Sequence, residues 1–412
     1  MKLTWVFLSA ALLFVQQSQA SDEFTLYDLL APETHQFAIR YDVAATAPGM
    51  KVFYNIIRPG SEASNEKGFD RATGKELPFV MTDAKEAKAA GQSEADVPDA
   101  TPYIKVPLPR PVTANSEFRL RILKTYKDAK SYYSQADKIV FDRSLGVKRN
   151  IVLLPADYEL IGSTVPVIMD IENGRVKISM VNDRQDELQV RITGRKLSIA
   201  RADQQKTPPP GQQTQTAQSL PPAPEHFHRA EDDREITYWL LDPETHQFRF
   251  SHDFNIDRPG QKYAHSFVRK GSKVSPETTF IDLDSGKRLK TSIVTGKEVN
   301  TLGYYPERSD DDDVVVQGEL LKPIAAGQTA RIRVMETYTD PDRYYIDKNG
   351  ELVWDRTFGR PRNVLTLPEG WYLTDCSTSA SIALDEEGRI QLFLNNPRID
   401  EIHVIVHAHR RK

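Results

Sequence analysis

The sequence predicts an all-β protein made of two tandem copies of an antiparallel β-sandwich unit, each copy large enough for two small abutting sandwiches. Three observations carry this reading. The chain repeats itself: LLAPETHQF at 29–37 recurs as LLDPETHQF at 240–248, so that His246 lies 211 residues after His35. Apolar residues alternate with polar ones inside each copy, the period of a strand with one buried face. Glycine, proline and asparagine punctuate the alternating runs, and Lys348-Asn349-Gly350-Glu351 is a plain hairpin turn.

The repeat runs the whole length of each copy. Arg58-Pro59-Gly60-Ser61 answers Arg269-Lys270-Gly271-Ser272, and Thr125-Tyr126-Lys127-Asp128 answers Thr337-Tyr338-Thr339-Asp340. Tyr132-Tyr133 matches Tyr344-Tyr345, and the block FDRSLGVKRN at 141–150 is mirrored by WDRTFGRPRN at 354–363. The offset drifts only from 211 to 214 residues between the first match and the Gly174-Arg175 and Gly388-Arg389 turns, so the copies differ by three single-residue length changes. The predicted strands follow in order. Phe37, Ile39, Tyr41 and Val43 alternate, as do Phe248, Phe250 and Phe254; Leu120, Ile122 and Tyr126 correspond to Ile332, Val334 and Tyr338. Val176, Ile178 and Met180 match Ile390, Leu392 and Leu394, and Leu188, Val190 and Ile192 match Ile402, Val404 and Val406. Residues 83–95, rich in Ala, Lys and Glu, form the only helical candidate, because the matching TGKEV at 295–299 does not favour a helix.

Domain limits follow from the repeat. Residues 1–20 read as a secretory signal peptide, with Lys2, an apolar run and a Ser18-Gln19-Ala20 cleavage site. Residues 21–200 form the first copy and 234–412 the second. Between them, 201–233 contains PPPGQQ and PPAP, a composition too poor in apolar residues to fold, and is expected to be an extended linker that lets the copies move. The apolar run at the N-terminus is shorter than the ~20 residues a spanning helix needs, so no membrane span is expected. The expected location is periplasmic or extracellular, where the lone Cys376 leaves stability to core packing.

Charge excludes one class of partner. With 54 Lys and Arg against 58 Asp and Glu, the chain lacks the basic excess that phosphate contacts require, so no nucleic acid is expected. The sequence resembles a family of uncharacterised secreted β-rich bacterial proteins carrying a Trp-Asp-Arg-x-Phe-Gly-Arg-x-Arg-Asn-x-Val-x-Leu-Pro block, which stands here from Trp354 to Pro368. The resemblance implies an exported bacterial protein and brings no activity with it.

The polar groups kept in both copies are Asp142, Arg143, Arg149 and Asn150, with Asp355, Arg356, Arg362 and Asn363. As a binding site, paired guanidinium forks beside carboxylates would clamp an anionic ligand. As scaffold, the same groups would form an arginine–carboxylate network at a strand-to-turn junction, and this is the favoured reading. His403, His407 and His409 share one face of a terminal strand, with His407 and His409 ~6.6 Å apart, but no carboxylate spacing completes a ligand set, so no metal is assigned. Asp310 to Asp313 is a consecutive run, unlike the alternating ligands of a calcium loop. Tyr132, Tyr133, Tyr344, Tyr345, Trp354 and Trp371 are candidates for a sugar platform or for core. No phosphate loop, His-Glu-x-x-His or Gly-x-Ser-x-Gly motif occurs, and no cofactor is expected. The function expected is therefore non-catalytic: binding of a protein or glycan partner, or a structural role, in the envelope or outside the cell. The alternative is an exported hydrolase of envelope carbohydrate or peptide with Asp142 or Asp355 as its acid or base.

Overall fold

The computed structural model describes residues 23–184, 186–197, 231, 233–305, 308–398 and 400–411. The signal-peptide reading and nearly all of the linker lie outside these residues. The protein is almost entirely β. In the first copy a large sheet runs, edge to edge, through Ile168–Glu172, Arg175–Val181, Arg149–Leu153, Phe24–Leu29, Gln36–Ala45, Phe118–Lys127, Glu62–Asp70 and Glu76–Leu77. A four-stranded sheet, Tyr158–Ser163, Leu188–Lys196, Lys138–Leu145 and Tyr132–Gln135, shares its hydrophobic core. Val52–Ile56, Pro102–Pro107 and Val80–Asp83 make a third, smaller sheet.

The second copy reproduces the plan. Its large sheet runs Lys287–Arg288, Thr279–Asp282, Ala330–Thr339, Gln247–Ile256, Glu235–Leu240, Arg362–Thr366, Ile390–Asn395 and Ser381–Leu384, with Lys273–Val274 also paired to Ala330–Thr339. Tyr344–Ile346, Leu352–Phe358, Ile402–Arg410 and Trp371–Cys376 form the four-stranded sheet; Tyr263–Phe267, Val314–Glu319 and Lys290–Thr295 form the small one. Among the described residues the pairing is antiparallel with one exception in each copy. Phe24–Leu29 lies parallel to Arg149–Leu153, and Glu235–Leu240 lies parallel to Arg362–Thr366.

Alternation explains the layers. Leu120, Ile122 and Tyr126 point inward from one strand, as Ile332, Val334 and Tyr338 do from its counterpart. The cores are separate: one cluster holds only first-copy residues around Phe37 and Phe141, the other only second-copy residues around Phe248 and Trp354. Phe37 meets Phe141 edge-on at 5.6 Å, and Phe248 meets Trp354 likewise at 4.7 Å. Such rings bury large area in a preferred edge-to-face geometry.

One helix departs from expectation. Ala84–Ala89 is helical, capped by the Asp83 carboxylate accepting from the Glu86 N–H. Its counterpart Gly296–Thr301 is helical too, because Thr295 and Glu298 form a reciprocal capping box that offsets the poor intrinsic propensity. Gly296 is required there for space. A Cβ on it would stand 1.9 Å from the Asp310 carbonyl oxygen, and its N–H donates to the Asp313 carbonyl. The acidic run thus closes against the start of this helix.

Candidate functional site

The repeated polar block is divided between the two faces of a strand. Successive residues of a strand point to opposite sides, so Asp142 and Asp355 face outward while Arg143 and Arg356 face the core. Arg143 is buried against Asp128, Nη1 to Oδ2 at 3.3 Å, and Arg356 against Asp340 at 2.9 Å. Each guanidinium also stacks on core aromatics, Arg143 over Phe37 at 5.4 Å and Arg356 over Phe248 at 4.8 Å. Burial works to raise the Asp128 carboxyl, but bonds from Ser131 and Ser61 and the Arg143 charge outweigh it and hold the group below the usual carboxylate range. Ser272 plays the part of Ser61, donating to Asp340 Oδ2 at 2.8 Å. Asp128 and Asp340 stood in a matched block, yet they lie well away in sequence from the arginines they serve. Only the tertiary pairing reveals their role.

The remaining block residues are also occupied. The Asn150 amide donates to the Val147 carbonyl at 2.7 Å and the Asn363 amide to that of Arg360 at 3.0 Å, closing the same turn in each copy. Arg362 pairs with Glu235 at 2.8 Å, and Arg149 with Asp233 at 3.3 Å. Outside, Asp142 meets Arg191 at 3.2 Å and Gln189 at 2.7 Å, whereas Asp355 meets the His403 ring Nε2 at 2.5 Å. The eight residues therefore fall into distinct settings instead of one clamp. Tyr132, Tyr344 and Trp354 are fully buried, and Trp371 nearly so, which rules out a sugar platform built on them.

Arginines converge instead where the copies meet, which alters the expectation of freely moving units. Arg119, 1% exposed, makes a two-pronged bond with Asp284 of the other copy, both contacts 2.8 Å. Asp233 receives Arg149 from the first copy and Arg331, at 2.5 Å, from the second. Main-chain bonds run in both directions: Glu117 N–H donates to the Leu283 carbonyl at 2.7 Å and Thr329 N–H to that of Ala72 at 3.2 Å. The loops concerned are equivalent. The turn at 72–74 of copy one meets 327–329 of copy two, while 114–117 meets 283–286, a reciprocal arrangement like that of a two-fold dimer interface. A cavity of about 390 Å³ opens beside it, lined by Arg71, Arg119, Arg121, Asn255 and Thr329 among others. Its arginines are engaged, Arg121 with Asp42 at 2.7 Å.

Two buried groups of opposite charge occupy one equivalent position. Lys124 donates to Asn55 Oδ1 at 2.6 Å; burial, reinforced by the Arg143 charge, pushes its ammonium down to about 7. The residue 212 positions on is Glu336, which accepts from the Ser266 hydroxyl at 2.7 Å and is pushed up by burial to about 7. Both sit at inward positions between apolar neighbours, a signal present in the alternation.

The histidines also separate. His35 and His246 end matching 3-10 turns with φ of 55°, their Nδ1 atoms 3.0 and 2.8 Å from the carbonyls of Tyr132 and Tyr344. His407 and His409 flank the carboxylate of Glu351, with contacts of 3.5 and 3.6 Å. The carboxylates of Asp310, Asp312 and Asp313 cluster on an exposed loop, where Lys270 pairs with Asp310.

No family model matches the sequence, and no curated protein does. Among solved structures, an M1 zinc metallopeptidase from Deinococcus radiodurans is similar over 42% of this chain and 41% of its own, at 11% identity and a TM-score of 0.28. An aminopeptidase N family protein from Idiomarina loihiensis matches over 42% of this chain and 29% of its own, at 10% identity and a TM-score of 0.25. The chain spans about two fifths or less of the length of these proteins.

Proposed function

We propose that the protein is exported and non-catalytic, and that its two β-sandwich copies bind a protein partner in the cell envelope or outside the cell. One observation carries the reading. The outermost strand of each large sheet, Ile168–Glu172 in copy one and Ser381–Leu384 in copy two, pairs on one side only among the described residues, with the Asp170 carboxylate accepting from the Ile171 N–H at 2.7 Å in copy one. Both expose apolar side chains at equivalent positions, Met169 and Ile171 at 56% and 54%, Ile382 and Leu384 at 56% and 65%. Sheet edges are ordinarily blunted by charge, bulges or cover, because their unpaired N–H and C=O groups recruit further strands. Two copies that both expose apolar side chains on an edge strand, in copy two without a charged residue within it, suit addition of an extended segment from a protein partner. The internal use of the arginine–carboxylate block in both copies is consistent with a scaffold. In addition, no helix among the described residues is long and apolar enough to cross a membrane.

The test places a photo-crosslinking residue at Ile171 or Leu384 in the whole protein and, as controls, at exposed positions on the opposite side. Edge-specific crosslinks to one envelope protein, abolished by Met169→Glu with Ile382→Glu at unchanged melting temperature, are expected. Equal crosslinking from the controls overturns the reading.

A second reading, a hydrolase, draws on Asp355 and His403. Their 2.5 Å contact is exposed and belongs to copy two alone, since Asp142 faces Gln189 and Arg191. Hydrolysis of an envelope polymer that disappears in Asp355→Asn would favour it.

A further inference from the structure

We propose that Glu351, His407 and His409 form a binding site for a zinc-class divalent cation, held by the second copy only. The strand Ile402–Arg410 turns His403, Ile405, His407 and His409 to its outer face, so both imidazoles project beside each other. The register that pairs Lys138 with Arg195 in copy one, and Leu352 with Ala408 in copy two, sets Glu351 across from His409. This supplies the carboxylate that sequence spacing alone did not reveal.

Two features of the geometry suit a shared cation better than a direct hydrogen bond. His407 Nδ1 is shielded from solvent and makes no hydrogen bond, although Glu351 Oε2 stands only 3.5 Å away. His409 Nε2 stands 3.6 Å from Oε1 of the same carboxylate. Both separations exceed the 2.7 to 3.2 Å of a good N–H···O bond. Ligand atoms ~2.1 Å from a tetrahedral zinc stand ~3.4 Å apart, close to both contacts. Closing the set asks the half-exposed His409 ring to swing toward His407, which its 42% exposed side chain permits. A water would fill the fourth position.

Glu351 is held ready from both ends. Its N–H donates to Asp347 Oδ1 at 2.9 Å and its carbonyl accepts from the Asp347 N–H at 2.8 Å, fixing the hairpin. The Thr374 hydroxyl donates to Oε1 at 3.3 Å, the outer-shell support that orients metal-bound carboxylates. Two imidazoles with one carboxylate favour zinc and its neighbours over magnesium or calcium, which prefer oxygen ligands throughout. Copy one carries Lys138, Thr193 and Arg195 at the matching positions and has no such set.

The experiment is calorimetric titration of the untagged, chelator-treated full chain with Zn2+ at neutral pH, with His226→Ala and His228→Ala present throughout so that linker histidines do not contribute. One Zn2+ per chain and a raised melting temperature are expected. Glu351→Gln and His409→Ala should each weaken the affinity at least tenfold while leaving the metal-free melting temperature near that of the parent. His407→Ala should do the same, and Co2+ should produce the visible absorption of a tetrahedral site. Zinc binding that survives Glu351→Gln and His409→Ala overturns the proposal, as does a response to Mg2+ equal to that to Zn2+. Absence of binding at micromolar Zn2+ also overturns it, leaving the three residues as a histidine–carboxylate contact.

Discussion

Glu336→Gln isolates the pH response of the second copy. In the folded chain burial keeps the Glu336 carboxyl protonated up to about pH 7, whereas an unfolded glutamate releases its proton near its ordinary value of 4.5. A raised carboxyl pKa favours the folded state fully below pH 4.5, and this advantage is lost as the pH climbs toward 7. The gap between 4.5 and about 7 corresponds to about 3 kcal/mol of lost stability. Glutamine keeps an acceptor for the Ser266 hydroxyl and carries no proton to lose. The variant should therefore match the parent near pH 4.5 and exceed it by about 3 kcal/mol at neutral pH and above. Urea unfolding followed by tryptophan fluorescence reads the correct half, because Trp239, Trp354 and Trp371 all lie in copy two and Trp5 lies within the expected signal peptide. A Glu336→Gln advantage that stays constant across this range, or a variant weaker at every pH, would refute the desolvation argument.

Lys124→Met should show the opposite pH dependence. The lysine contributes stability above pH 10.5 that is lost as the pH falls to about 7, so removing its charge should stabilise copy one by about 5 kcal/mol below that point, read by hydrogen exchange in Phe118–Lys127. At the junction, Arg119→Ala leaves Asp284 without its two-pronged partner and should cost about 3 to 5 kcal/mol, with faster proteolysis between the copies. The pair replaced together by Met and Leu should lose less than the sum of the single variants. Gly296→Ala must displace the Asp310 carbonyl and should weaken copy two in the same fluorescence assay by at least 1 kcal/mol, while Thr295→Ala, which removes only the cap, should cost about 1 kcal/mol.

The all-β class was legible because burial writes itself into a strand as alternation: Leu120, Ile122 and Tyr126 declare their inner face without help from the rest of the chain. The second helix was not legible from propensity, since what fixes Gly296–Thr301 is a reciprocal bond between Thr295 and Glu298 and the carbonyl of Asp313 at its start. The parallel pairing of Phe24–Leu29 with Arg149–Leu153 was equally hidden, because period-two patterning specifies which face is buried and says nothing of strand direction. The contact between the copies escaped for a different reason. It is built from charged side chains and loop carbonyls, which in a sequence look the same as a solvated surface.

Comparison of the two copies also separates scaffold from specialisation. Where the same residue keeps the same partner, as Arg143 with Asp128 and Arg356 with Asp340, the shared fold explains it: losing one member would strand a buried charge. Positions that changed chemistry while the backbone stayed put carry different information. Lys124 and Glu336 occupy one equivalent inward site, and Lys138, Thr193 and Arg195 stand where Glu351, His407 and His409 meet. A fold that tolerates either set places no demand for imidazoles on the outer face of Ile402–Arg410. The histidines of copy two therefore answer to something outside the shared scaffold, and the proposed cation at Glu351 would meet that requirement once the His409 ring turns toward His407.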